Sequence, residues 1–259
     1  MSDYEFLTVE HEEKLTIITI NRPAVYNALH SEAHFEFDTA FDDFAADPDQ
    51  WVAIITGAGD KAFCAGNDLK YQAAGGSLER PTSGFGGLTQ RFDLEKPVIA
   101  AVNGFAMGGG FEIALACDLI IASDNAVFAL PEPRVGLAAL AGGLHRLPRM
   151  IPQKQALGMI LTGRRVPAKE GKDLGFVNEV TSQTDLMTTT KRWAGMMLEC
   201  SPMSLRASKQ AVYNGLDEPS LQEAIKSVYP AVQSLLKSAD FVEGPKAFTE
   251  KRTPSWTAE

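Results

Sequence analysis

The glycine triplet Gly108-Gly109-Gly110 restricts this chain more than any other feature. It lies between the apolar run Pro97 to Met107 and the helix-forming stretch Phe111 to Cys117. Glycines opening a helix leave backbone N–H groups bare at the positive end of the helix dipole, where they can hold a developing anion. Glu112 then stands one turn inside that helix, within reach of whatever the amides hold. The segment reads as a catalytic surface at a strand-to-helix junction.

What such a surface can serve is bounded by composition. A chain of 259 residues, 45% hydrophobic and 22% charged, has material for a sizeable core in one large domain or one plus a small appendage. The formal net charge of −9 leaves no basic stripe, so a nucleic-acid partner is not expected. The longest apolar region, Pro97 to Cys117, is broken by Asn103, the glycines and Glu112, so no membrane span is expected either. Met1 to Lys14 is acidic and has no apolar segment of the signal-peptide kind, which makes a cytoplasmic location the expectation. Cys64, Cys117 and Cys200 are too few and too scattered for a disulfide framework or a metal knuckle.

Strands are predicted at Phe6 to Glu10 and Lys14 to Ile20, joined by His11-Glu12-Glu13. A helix over Ser31 to Ala46 follows from the partly helical spacing of Phe35, Phe37, Phe41 and Phe44, and Asp47-Pro48 stops it. Trp51 to Thr56 is a β-rich run. Gly75 to Gly87, rich in Gly, Ser and Pro, reads as a mobile surface loop rimming a binding site. Strand-like runs at Val98 to Val102, Leu119 to Ala122 and Val127 to Leu130 alternate with helical stretches at Gly109 to Cys117 and Gln153 to Leu161, so the fold class is α/β. Beyond Asn178-Glu179-Val180, helical spacing covers Thr184 to Glu199, Pro202 to Asn214 and Ser220 to Lys237. This tail is expected to pack on the core or on a neighbouring subunit.

Three segments carry chemistry. Lys61 to Lys70 runs from a strand through small residues into a helix start, with a lysine at each end. Asn103 to Glu112 adds a second set of bare amides and a carboxylate. Ala129 to Gly136 holds Glu132 between Pro131 and Pro133, which restrict its backbone. Taken singly each has a plainer explanation: a tight turn, a glutamate complementing a dipole, a surface pair of Glu132 with Arg134, solvated lysines. Their occurrence together and in this order is what carries weight.

Together they resemble the crotonase superfamily of enoyl-CoA hydratases and isomerases over nearly the whole chain. The resemblance rests on Asn21-Arg22-Pro23 with Asn27-Ala28-Leu29, Ala62 to Leu69, Lys96 to Gly104, the glycine triplet, Leu161-Thr162-Gly163, Gly175 to Asn178 and Glu243 to Arg252. It implies a spiral of ββα units followed by a helical trimerisation region, with residues 1–199 forming the α/β core that holds acyl-CoA and 200–259 the oligomerisation region. A homotrimer or homohexamer is the implied assembly. The thioester oxygen would lie between the backbone N–H groups of Asn67 and Gly109. Ala24, Tyr26, Ala65, Lys61 and Lys70 fall where the family contacts the coenzyme A moiety. Coenzyme A belongs to the substrate, and neither a separate cofactor nor a metal is implied.

In the family's hydratases two glutamates hold one water, and they map to Glu112 and Glu132. The reading is that Glu112 activates the water while Glu132 exchanges a proton at the α-carbon, one carboxyl protonated and the other ionised. A double-bond isomerase of the same superfamily is the nearest rival, and a non-catalytic acyl-CoA-binding subunit a more distant one. Members with dehalogenase or dienoyl-isomerase chemistry carry an acid in the loop after Gly136, where this chain has Leu140, which argues against a covalent aspartyl route. A nucleotide-binding module lacks both a Gly-Lys-Ser/Thr ending and a Gly-x-Gly-x-x-Gly turn. His30 and His34 have zinc-compatible spacing, yet no third ligand is evident, and His145 is assigned to packing or polar lining.

Overall fold

The structure is a computed structural model that describes residues 4–259; Met1 to Asp3, part of the acidic N-terminal stretch, lie outside the described residues. The strands are β1 (Leu7–Glu12), β2 (Leu15–Ile20), β3 (Val52–Gly57), β4 (Ala62–Cys64), β5 (Val98–Val102), β6 (Phe105–Met107), β7 (Leu119–Ser123), β8 (Val127–Ala129), β9 (Val166–Pro167) and β10 (Glu179–Thr181). The helices are α1 (Ser31–Ala46), α2 (Leu69–Ala73), α3 (Gly109–Ala116), α4 (Gly143–Met150), α5 (Gln153–Thr162), α6 (Ala168–Leu174), α7 (Leu186–Leu198), α8 (Pro202–Leu216), α9 (Leu221–Lys226), α10 (Pro230–Leu235) and α11 (Ala239–Glu250).

Two sheets emerge, one ordered β1-β2-β3-β5-β7-β10 and the other β4-β6-β8-β9. Only the first hairpin, β1 with β2, and the pair β8 with β9 are antiparallel; the other pairs are parallel. The winding follows from this order. Each of β3-β4-α2, β5-β6-α3 and β7-β8-α4 sends its first strand to the large sheet and its second to the small one, so the chain advances as a spiral of ββα turns. Parallel strands covered on both sides read as continuous apolar runs, and residues alternate between faces. Ala53, Ile55, Val98, Ala100, Val102, Ile120 and Ala122 face the main core, whereas Val52, Ile54, Ile99, Ala101 and Ile121 face a second cluster closed by Leu186 and Ala194 of α7.

The expected α1 has the predicted bounds, and burial of Phe37, Phe41 and Phe44 explains its period. Elsewhere the bounds move. β1 continues to Glu12 and the turn falls at Glu13-Lys14, with Glu13 at φ 53°. The predicted helix over Ser220 to Lys237 is two helices, because Ser227 is extended and Pro230 restarts the chain at α10. The loop predicted as mobile over Gly75 to Gly87 is exposed mainly in its first half. Ser83, Phe85, Gly86 and Gly87 are buried, and Gly86 and Gly87 take φ near +60°, a left-handed turn that lets the chain dive under α1. Additional ties draw sheet and tail together. Lys209 of α8 donates to Asp118 Oδ2 and Lys96 O, both at 2.9 Å, and Asp118 Oδ2 also accepts the Val98 amide at 2.7 Å.

Candidate active site

The first element of the site is a pair of loops held edge to edge. Arg22 pairs with Asp68 at 3.2 Å and also donates to Ala28 O, while Asn27 Nδ2 reaches Ala62 O at 2.8 Å. The Leu29 amide donates to Gly66 O at 2.8 Å, the Asp68 amide to Leu29 O at 2.9 Å and the Ala65 amide to Tyr26 O at 3.0 Å. Asn21 to Leu29 is thus fastened along Ala65 to Asp68. The Asn67 side chain turns away to Gln72 Oε1 at 2.7 Å. Its backbone N–H has no hydrogen-bond partner among the described residues.

Helix α3 supplies the opposite edge. Gly108, at φ 53°, is its N-cap residue, and the Gly109 amide is the first helical N–H, which has no intrahelical carbonyl to meet. The two edges nearly touch: a Cβ placed on Gly66 would lie 3.1 Å from Gly109 N and 2.6 Å from Met107 O, and one on Gly110 would strike Cys64 O. Close approach of backbone to backbone is why glycine stands at both positions. The Asn67 and Gly109 segments, distant in sequence, are therefore neighbours across a gap too narrow for a methyl group.

Glu112 lies in the first turn of α3 and is 3% exposed. Its Oε1 accepts the Gly143 amide at 2.8 Å. Burial pushes its pKa up to about 7, with the nearby charge of Glu132 adding to the rise, while the amides of Gly143 and Ala141 and the Arg80 charge pull the other way. Glu132 opens a short 3-10 turn, Glu132–Val135, directly after β8. A Cβ on Gly108 would lie 2.8 Å from Glu132 Oε1, so this carboxyl sits on the glycine turn itself. Burial raises its pKa as well. Its Oε2 is buried and has no hydrogen-bond partner among the described residues. A buried carboxylate oxygen of this kind calls for a hydrogen-bond donor, which a water can supply. Arg134 is engaged with Thr162 O at 3.0 Å and makes no ion pair with Glu132 among the described residues.

The remaining sequence-derived positions divide. Ala24, Tyr26, Lys61 and Lys70 are exposed and Ala65 is half-buried on the loop pair, at its outer rim. The two histidines do not form a metal pair. His30 caps α1, its Nδ1 accepting the Ala33 amide at 3.4 Å, whereas buried His34 accepts the Gly86 amide at 3.0 Å and has its pKa depressed to about 3 by burial. Among the described residues no group of three or more His, Cys, Asp or Glu side chains is arranged to hold a metal ion. His145 is exposed on α4 rather than packed, and Leu140 is 75% exposed.

Three residues escaped the sequence reading. Gly143 supplies the amide that pins Glu112. Phe85 lies against the glycine turn, since a Cβ on Gly109 would fall 2.5 Å from its ring. Arg80 places its guanidinium 5.2 Å from the centre of the Phe85 ring. A glycine or an arginine in a polar loop carries no local signal; only the aromatic at Phe85, after a glycine, hinted at burial.

Comparison with known proteins adds identity to this geometry. The profile of the enoyl-CoA hydratase/isomerase family matches residues 10–259. Carnitinyl-CoA dehydratase of Escherichia coli strain K12 is 43% identical over 258 residues, covering 97% of this chain and 98% of that protein. Enoyl-CoA hydratase EchA1 of Mycobacterium marinum superposes with a TM-score of 0.92 at 36% identity, covering 98% of this chain and 99% of the other. Carnitinyl-CoA hydratase of Mycobacterium avium superposes with a TM-score of 0.79 at 39% identity, covering 99% and 100%. The chain belongs to the enoyl-CoA hydratase/isomerase family and stands among its hydratases and dehydratases.

Proposed function

We propose that the protein adds water across a 2-enoyl-CoA thioester to give the 3-hydroxyacyl-CoA, and removes it in reverse, with Asn67 and Gly109 as oxyanion donors and Glu112 and Glu132 as the acid–base pair. The single observation that carries this is the buried, unpartnered Glu132 Oε2 beside the turn that presents the free Gly109 amide. When water attacks the β-carbon, negative charge moves to the thioester oxygen, and two preorganised amides stabilise it at no cost of reorientation. Glu112, fixed by the Gly143 amide, takes the proton of the attacking water. Glu132 delivers a proton to the α-carbon. Mutual charge repulsion and burial favour a state with a single proton shared between the two acids, which is the state this addition needs.

The coenzyme A end is assigned to the exposed rim formed by Ala24, Tyr26 and Ala65, with Lys61 and Lys70 on the nucleotide side. Residues 1–199 serve as the reacting core and residues 200–259 as the oligomerisation region of a homotrimer or homohexamer. Support for the latter comes from the apolar residues exposed on the tail, among them Val212, Leu216, Leu221, Ile225 and Phe248. Among the described residues no helix is long and apolar enough to cross a membrane, and a cytoplasmic site of action is part of the proposal.

Absorbance at the enoyl-thioester band tests the reaction. Crotonyl-CoA should be consumed by the wild type, and Glu112→Gln and Glu132→Gln should each lose at least about a hundredfold in kcat while still binding the thioester. Conversion of 3-enoyl-CoA esters with no consumption of 2-enoyl-CoA would give the isomerase reading instead.

A further inference from the structure

Arg80 is a charged side chain whose charge reaches Glu112 and which has no assigned task. The loop around it is anchored on both sides: Ser31 Oγ donates to Glu79 O at 2.8 Å, and the Gly84 amide donates to Pro81 O at 2.9 Å. Its guanidinium lies 5.2 Å from the Phe85 ring centre, and the Phe85 ring in turn abuts Gly109. Among the described residues the exposed Arg80 makes no ion pair and no side-chain hydrogen bond, whereas the nearly buried Arg91 side chain is paired with Asp38 and Asp42. Its charge is nonetheless felt at Glu112. An arginine that retains its five donors beside a reaction centre is arranged for an anion that arrives with the ligand.

Resting on the hydratase reading above, we propose that Arg80 binds a carboxylate at the far end of the acyl group, so that the preferred substrates are 2-enoyl-CoA thioesters of dicarboxylic acids. Phe85 is the wall between the oxyanion site and this cation. A short acyl chain running from the thioester past Phe85 brings its terminus to the guanidinium, where a carboxylate can be held by two parallel hydrogen bonds. The same charge disfavours an acyl chain ending in a quaternary ammonium, by like-charge repulsion. The carnitinyl-CoA relatives are named for a substrate of that cationic kind, so the proposal gives this chain a different substrate preference with the same reaction.

The test compares kcat/KM for three probes in the wild type and in Arg80→Gln, Arg80→Lys and Arg80→Glu: glutaconyl-CoA, crotonyl-CoA and 4-trimethylammoniocrotonyl-CoA, whose tails are anionic, neutral and cationic. The wild type should prefer them in that order. Arg80→Gln should lower the glutaconyl-to-crotonyl ratio about ten- to hundredfold, the range for loss of a charge-assisted bond. Arg80→Lys should keep part of the preference, and Arg80→Glu should favour the cationic tail. Ratios matter because any effect of Arg80 on the Glu112 pKa acts on all three probes alike. Equal losses on all probes, as expected for a contact with the coenzyme, or a wild-type preference for the cationic tail overturns the proposal and leaves hydration standing. Failure of the wild type to hydrate any of the three overturns the hydratase reading and this inference with it.

Discussion

The Gly143 amide donates to Glu112 Oε1 at 2.8 Å across 31 residues of sequence, so the N-terminus of α4 holds the acid that α3 carries. This is an arrangement for function at some expense of stability. The Glu112 pKa is raised from 4.5 to about 7, so between those values the folded state binds more protons than the unfolded one and stability falls as pH rises. Above about pH 7 the whole cost is present, of the order of 3 kcal/mol. Glu112→Gln keeps an acceptor for Gly143 and removes the ionisation. Thermal unfolding should therefore show the variant more stable than wild type at pH 8, with the gap closing by pH 5.

The like charge of Glu132 helps raise the Glu112 pKa. Glu132→Gln should thus lower it, and a carboxyl infrared titration of the two proteins should show the Glu112 band ionising at lower pH in the variant. In wild type kcat/KM should fall above neutrality, because the addition needs one proton between the two carboxyls and the pair loses its last one there. The apparent values belong to the pair. Activity still rising at about pH 9 would contradict a shared-proton pair.

Gly66 sits at φ +89°, and a Cβ there would press on Met107 O and Gly109 N. Gly66→Ala should wedge the Asn67 and Gly109 edges apart. We expect kcat to fall about a hundred- to a thousandfold, as when an oxyanion donor is removed, with little change in coenzyme A binding measured by calorimetry.

His34 supports the site from behind, by accepting the Gly86 amide in the turn that brings Phe85 onto Gly109. Its folded-state pKa lies near 3, below the ordinary 6.5. Unfolding therefore takes up a proton below about pH 6.5, and stability should decline by about 1.4 kcal/mol per pH unit from this group as pH falls towards the folded value. His34→Ala removes that slope. It also strands the Gly86 amide, so denaturant unfolding at pH 7 should show a loss of about 1–3 kcal/mol.

The large sheet was legible in the sequence except for its last strand, the three-residue β10, because runs such as Val98–Val102 are long enough to show their apolar character. The small sheet was only partly so. Phe105–Met107 and Val166–Pro167 are three and two residues long, too short for any period to register, and their pairing depends on where the spiral brings them. Glu112 and Glu132 were legible as a pair only through the family pattern. Nothing local at Glu132 announces that its carboxyl rests on Gly108, and nothing in Glu79-Arg80-Pro81 announces that the cation meets Phe85. Contacts of this kind are set by tertiary packing. The helix predicted over Ser220 to Lys237 failed for a related reason: its apolar spacing was real, but the proline at Pro230 began a new segment.

Gly109 and Glu112 ride on the same turn of α3. A shift of that helix therefore carries the Gly109 amide and the Glu112 carboxyl as one rigid jig, with their separation unaltered. Rearrangement of the surrounding loops leaves this gauge untouched, so the walls at Phe85 and Arg80 can change without altering the spacing of Gly109 and Glu112.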